Sequence, residues 1–238
     1  MPRQDLMLRS SRIFPGAIVA CLFAALLIWT GAWNPVADAL DDAFGVEVET
    51  SGDAAAVLAE LDTITVKGKA PMTGYDREGV FGSAWIDIDR NGCDQRNDVL
   101  DRDLSATTYK PDTRDCVVLT GTLADPYTGA TIPFQRGQDT STAVQIDHIY
   151  PLGMAWRQGA QQWTQEQRIA FANDFDNLVA VDGPANSQKG DSGPAAWLPS
   201  NKGYRCEYVI DFVNVTAKYD LSLPQPDVDA ARRILANC

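Results

Sequence analysis

The stretch VQIDHIYPL (residues 144–152) and, further along, DNLVAVDGPANSQKGD (residues 176–191) decide how this chain is read. Each carries an apolar run of strand length. The first covers residues 143–148 and is stopped by Pro151; the second covers 178–181 and is stopped by the turn Asp182-Gly183-Pro184, which feeds a helix start. The spacing predicts two short strands and a short helix, with Asp147 and His148 at a strand end where side chains can face a cleft. His148 is the chain's one histidine. A lone histidine is usually a packed or surface residue, so its company matters: Asp147 beside it, Asn177 just before the second strand, and Asn186 and Lys189 in the helix.

Outward from this core, residues 116–123 read as a strand, Asp125-Pro126-Tyr127-Thr128-Gly129 as a turn, and residues 130–134 as the hairpin partner. Residues 80–88 form a short helix or strand leading into a polar loop. Thr164 caps a helix through Gln167 to Ala172, and two helices, about 202–219 and 227–236, close the chain. Residues 34–73, rich in Ala, Asp, Val and Glu, read as a tether, with a short strand possible at 61–67. The folded domain is expected to begin near Tyr75.

At the start of the chain, Arg3, Arg9 and Arg12 precede an uncharged, largely apolar stretch at 13–33, the pattern of an export signal. The stretch is roughly 20 residues, enough to span a bilayer. A signal cleaved near Ala37-Asp38-Ala39 and an uncleaved anchor both fit. The organisation expected is a signal or anchor at 1–39, an acidic leader at 40–74 and one domain at 75–238. The protein is then secreted or anchored outside the cytoplasm, touching membrane only through its N-terminal segment. With Cys21 in the apolar stretch, Cys93, Cys116, Cys206 and Cys238 remain. In an exported domain they suggest two disulfides, with three pairings open and the local one, Cys93–Cys116 with Cys206–Cys238, preferred.

The net charge of −12 is unusual for a nucleic-acid binder. The acid is unevenly spread, however: residues 38–78 hold ten acidic against three basic side chains, whereas residues 136–218 hold nine against seven. This excludes a broad DNA-coating surface and leaves room for a local phosphate site.

The order Asp147-His148, Asn177-Leu178 and Asn186-Ser187-Gln188-Lys189 resembles the His-Asn-His (HNH, or ββα-metal) nuclease motif over residues 144–191. A wider similarity, over residues 75–238, is to secreted bacterial HNH proteins related to the C-terminal domain of GmrSD restriction enzymes. It is carried by Asp89-Arg90-Asn91-Gly92-Cys93-Asp94 and by residues 147–153, 159–164 and 177–191. The resemblance implies an α+β fold: a ββα-metal core with an N-terminal β-hairpin region and C-terminal helices. It also implies an endonuclease acting on DNA, with RNA as a second substrate.

The chemistry agrees with that resemblance. Phosphodiester hydrolysis needs an activated water, and an imidazole such as His148 can take its proton. A hard divalent ion can neutralise the leaving oxygen. Asp147 and Asn186 supply one anionic and one neutral oxygen, which suits Mg²⁺ or Mn²⁺ better than Zn²⁺. Asn186 stands where the family often has His. Asn177 is expected to fix the loop before the second strand, and Lys189 and Arg157 to contact phosphate. Trp156 and Trp163 read as core. No Gly-x-Ser-x-Gly or His-Glu-x-x-His pattern offers another hydrolase.

Residues 87–98 also have the spacing of a Ca²⁺ loop, with Asp87, Asp89 and Asn91 at positions 1, 3 and 5, Gly92 at 6 and Asp98 at 12. Asp98 is shorter than the usual Glu, and Asp94 is acidic where such loops place an apolar residue. A polar turn is the competing reading. The alternative to an enzyme is therefore a disulfide-stapled module of the cell envelope that binds nucleic acid or Ca²⁺ without catalysis.

Overall fold

The hairpin at the centre of the molecule has apolar residues on both faces because it separates two cores. In the computed structural model, which describes residues 52–138 and 140–238, β4 (Val144–His148) and β5 (Leu178–Asp182) pair antiparallel. Their register sets Ile146 against Ala180, Asp147 against Val179 and His148 against Leu178. Side chains alternate along a strand. Val144, Ile146, Leu178 and Ala180 therefore enter one core, and Val179 and Val181 enter the other. By the same alternation, His148 faces the first core and Asp147 the second.

The smaller core lies under a three-stranded antiparallel sheet of β1 (Leu104–Tyr109), β2 (Val118–Ala124) and β3 (Thr131–Gln135), in that order. Helix α3 (Gln95–Asp103), capped by Asp94 accepting from the Asn97 amide, adds Val99 and Leu100. The larger core gathers α1 (Gly52–Leu61), α4 (Leu152–Gln158), α5 (Gln165–Ala172), α7 (Arg205–Lys218) and α8 (Gln225–Leu235). A five-residue helix, α2 (Arg77–Phe81), packs near α4 and α5. Helix α5 opens on the expected capping box, Thr164 with Gln167. After β5, Asp182 caps α6 (Gly183–Lys189) by accepting from the Ala185 amide. Gly183 must lack a side chain, since a Cβ there would lie 2.1 Å from the Thr142 carbonyl oxygen.

The fold is thus mixed α+β with two small antiparallel sheets and several helices. Three readings from sequence change. Part of the supposed leader, residues 52–64, is helix α1 and its exit, with Ala54, Val57, Leu61 and Ile64 buried in the larger core. The candidate strand at 61–67 is reduced to a single bridge from Val66 to Leu223. The polar loop after residue 94 is instead α3 running into β1. The proposed signal or anchor, and the leader up to residue 51, lie outside the described residues. Among the described residues no helix is long and apolar enough to cross a membrane. Cys93 is bonded to Cys116 and Cys206 to Cys238.

Candidate active site

His148 ends β4 with 7% of its surface exposed. Its Nε2 lies 2.9 Å from the Ala172 carbonyl oxygen at the end of α5. A carbonyl can only accept, so Nε2 carries the proton and Nδ1 keeps its lone pair. Burial pushes the imidazole pKa down to about 3; the Ala172 bond opposes this, while the charges of Arg77 and Lys189 add to it. The ring is neutral at any ordinary pH, the form a general base requires.

The imidazole lines a small pocket of about 60 Å³ together with Arg77, Glu78, Trp85, Leu152 and Asn173. The Trp85 ring runs nearly parallel to the imidazole, at 14° with centroids 6.4 Å apart. Trp85 has φ +60°, in the left-handed region that a bulky side chain rarely occupies, so strain is stored beside the histidine.

On the other face of the hairpin, Asp147 Oδ2 accepts from the Tyr127 hydroxyl at 2.5 Å and pairs with Lys189 Nζ at 2.7 Å. Lys189 Nζ also donates to the His148 carbonyl at 2.8 Å. Lys189 is 1% exposed, and burial pushes its pKa down against the pull of Asp147. This corrects the expected role of Lys189. Its charge is already spent on Asp147 and its tip is out of reach of solvent, so it braces the strand end and does not meet phosphate. Asn186 donates Nδ2 to Gln145 Oε1 at 2.9 Å, and Gln145 shares a strand face with Asp147, two residues away.

Asp147 Oδ1 and Asn186 Oδ1 lie outside these contacts. The donor types suit a hard divalent ion, but Asp147 is 6% exposed and its carboxylate already carries the Lys189 ammonium, so the pair is not arranged as an open hydrated-ion site. The imidazole, on the opposite face, belongs to no such ligand set. Among the described residues no group of three or more His, Cys, Asp or Glu is gathered to hold a metal.

Asn177 is fully buried and clamps the chain just beyond His148. Its Oδ1 accepts from the Tyr150 amide at 2.7 Å, and its Nδ2 donates to the Tyr150 carbonyl at 3.3 Å. Arg157, expected at the phosphate, instead donates to the Ala70 carbonyl at 3.1 Å and lines a separate pocket with Trp156 and Gln161. Trp156 and Trp163 are core residues.

In the loop at 87–98, Asp87 accepts from the Asn91 and Gly92 amides, Asp89 from Asn91, and Asn91 from the Cys93 amide. These oxygens are turned onto the loop's own backbone, the arrangement of a polar turn. Asp98, in the first turn of α3, faces the same loop: burial pushes its carboxyl up, a hydrogen bond with Asn91 opposes that, and the charges of Asp89, Asp87 and Asp94 add to the rise.

A larger cavity, about 520 Å³, does not include His148 and lies between Arg102, Tyr204, Glu207, Asp211 and Lys218. Size alone does not make it the site, because Arg102 and Lys218 are already bonded to neighbouring carboxylates. Arg77, Trp85 and Asn173 are the pocket residues that sequence reasoning missed. The +60° backbone of Trp85 and the buried side chain of Asn173 set two of them apart, and sequence carries no trace of either.

A family model for the C-terminal domain of GmrSD restriction endonucleases matches residues 94–224. A protein of Arthroderma benhamiae, named only as an uncharacterized secreted protein, is 37% identical over 180 residues, which is 75% of this chain and 82% of that one. No solved structure matches.

Proposed function

We propose, on the premise that this chain belongs to the family of the C-terminal domain of GmrSD restriction endonucleases, that it hydrolyses phosphodiester bonds of nucleic acid outside the cytoplasm. DNA is the first substrate and RNA a second. The observation that carries this reading is the state of His148: a neutral imidazole, its Nε2–H tied to Ala172 and its Nδ1 open to a pocket. Nδ1 takes the proton of the attacking water. Asn177 and Lys189 hold the backbone at and just beyond that residue through Tyr150 and the His148 carbonyl, and Arg77 offers an exposed guanidinium at the pocket wall. The family resemblance assigns Asp147 and Asn186 to Mg²⁺ or Mn²⁺, which would supply charge neutralisation when bound; with Asp147 committed to Lys189 and Tyr127 on the face of β4 opposite His148, no step is routed through that ion. The low imidazole pKa makes a weak base of the free protein, and an arriving phosphodiester anion raises it toward the working range.

The extracytoplasmic setting is supported by the secreted relative and the two disulfides. The test is supercoiled plasmid incubated with the oxidised full chain and Mg²⁺ or Mn²⁺. Nicking abolished by EDTA is expected. A folded, oxidised sample that cuts neither DNA nor RNA with any divalent ion would overturn the reading in favour of a binding module.

A further inference from the structure

The pocket beside His148 holds an orphaned acceptor. Asn173 follows the last residue of α5 and is 2% exposed. Its Nδ2 donates to the Ile169 carbonyl at 2.9 Å. That carbonyl can only accept, so the bond fixes which end of the amide is nitrogen. Oδ1 is then left buried with no partner in the protein. Such atoms are rare and call for an explanation.

Asn173 lines the same small pocket as the imidazole. The two are anchored one residue apart, since the His148 Nε2–H ends on the carbonyl of Ala172. The pocket therefore brings together the imidazole and the unpartnered Oδ1, on a wall that also carries Arg77 and Ser83. Its volume of about 60 Å³ is on the scale of one or two waters, at roughly 30 Å³ each in the liquid. The charged groups that bear on the ring are Arg77 and Glu78 on α2 and Lys189 behind the strand. Among the described residues no group of three or more His, Cys, Asp or Glu gathers here to hold a metal, and one imidazole nitrogen with one amide oxygen suits a neutral molecule with two O–H donors.

We propose that Asn173 Oδ1 and His148 Nδ1 together hold the attacking water, one O–H directed to each. This rests on the nuclease reading for its chemistry but not for its geometry. In the reaction the proton on the Nδ1 side passes to the imidazole as the water oxygen bonds phosphorus. The other O–H stays bonded to Asn173, which points the remaining lone pair at the phosphate. The P–O ester bond breaks, the leaving oxygen takes a proton from bulk water, and the imidazolium returns its proton to solvent. Asn173 is thus a catalytic residue that orients the nucleophile without itself exchanging a proton.

Two measurements test this. A crystal structure of the oxidised full chain should show one ordered water within hydrogen-bonding distance of both Asn173 Oδ1 and His148 Nδ1. A dry pocket, or a protein donor on Asn173 Oδ1, overturns the proposal whether or not the protein is a nuclease. Steady-state kinetics of Asn173→Ala should show kcat lowered on the order of 100-fold with KM unchanged, the signature of a misplaced reactant. An Asn173→Ala protein that melts earlier but keeps its kcat would make Asn173 a helix-end residue only. A bridging water in a chain that cuts no nucleic acid would leave the water site standing and remove the nuclease reading. A cutting enzyme without that water would do the reverse.

Discussion

At the residue scale the site turns on one imidazole and one ammonium, both buried, each kept there by a single backbone acceptor and its surroundings. His148 owes its neutral state to burial first and to Arg77 and Lys189 second. Protonation of the free protein should therefore silence it only far below the usual histidine range. The acid limb of kcat/KM is expected well below pH 6.5, and a limb at the ordinary histidine value would contradict the burial described here. Lys189 neutralises Asp147 inside the protein. Lys189→Ala strands a buried carboxylate and should cost about 3–5 kcal/mol in urea unfolding; a stable variant with only a raised KM would restore the phosphate role expected from sequence. The residue types of this site were legible along the chain, as was the place of Asn177 as a clamp on the backbone beyond His148. Burial was not: nothing in Asn-x-x-Lys says that the lysine turns inward, because that depends on Asp147 and Tyr127 meeting it from another strand and another turn.

At the element scale, strand alternation does the sorting. Adjacent Asp147 and His148 face opposite cores, so one strand end serves the imidazole pocket on one side and the Asp147–Lys189–Tyr127 cluster on the other. Helix α6 can dock on both strands because Gly183 leaves room for the Thr142 carbonyl. Gly183→Ala is expected to destabilise by about 1–3 kcal/mol through overpacking, read by thermal melting. The strands, the Thr164 capping box and the last two helices follow from periodicity and caps within a few residues. Helix α1 escaped because acidic, alanine-rich composition reads as tether. Its apolar Ala54, Val57 and Leu61 find partners only in α7 and α8, far away in sequence. Similarly, α3 is so polar that only tertiary contact with the small sheet defines its buried side.

At the scale of the whole molecule, the two disulfides close loops of 23 and 32 residues, one beside each core. Loop-closure entropy gives about 3–4 kcal/mol each, so reduction should lower the melting temperature sharply; unchanged melting under reductant would mean the cysteines are free. A second whole-molecule handle is Asp211, whose carboxyl is raised to about 6, chiefly by burial and then by Glu207 and Asp176. The folded protein binds that proton more tightly than the unfolded chain does. Its contribution is therefore present at low pH and lost as pH rises through 6. Asp211→Asn should stabilise the protein at pH 8 and flatten its pH dependence between 4 and 7. Whether His148 is the base of a nucleic-acid hydrolase is read from wild type against His148→Ala on supercoiled plasmid, at matched thermal stability and saturating Mg²⁺. The expected result is loss of cleavage by a factor of about 100 or more. A variant that folds and cuts at the wild-type rate would contradict it.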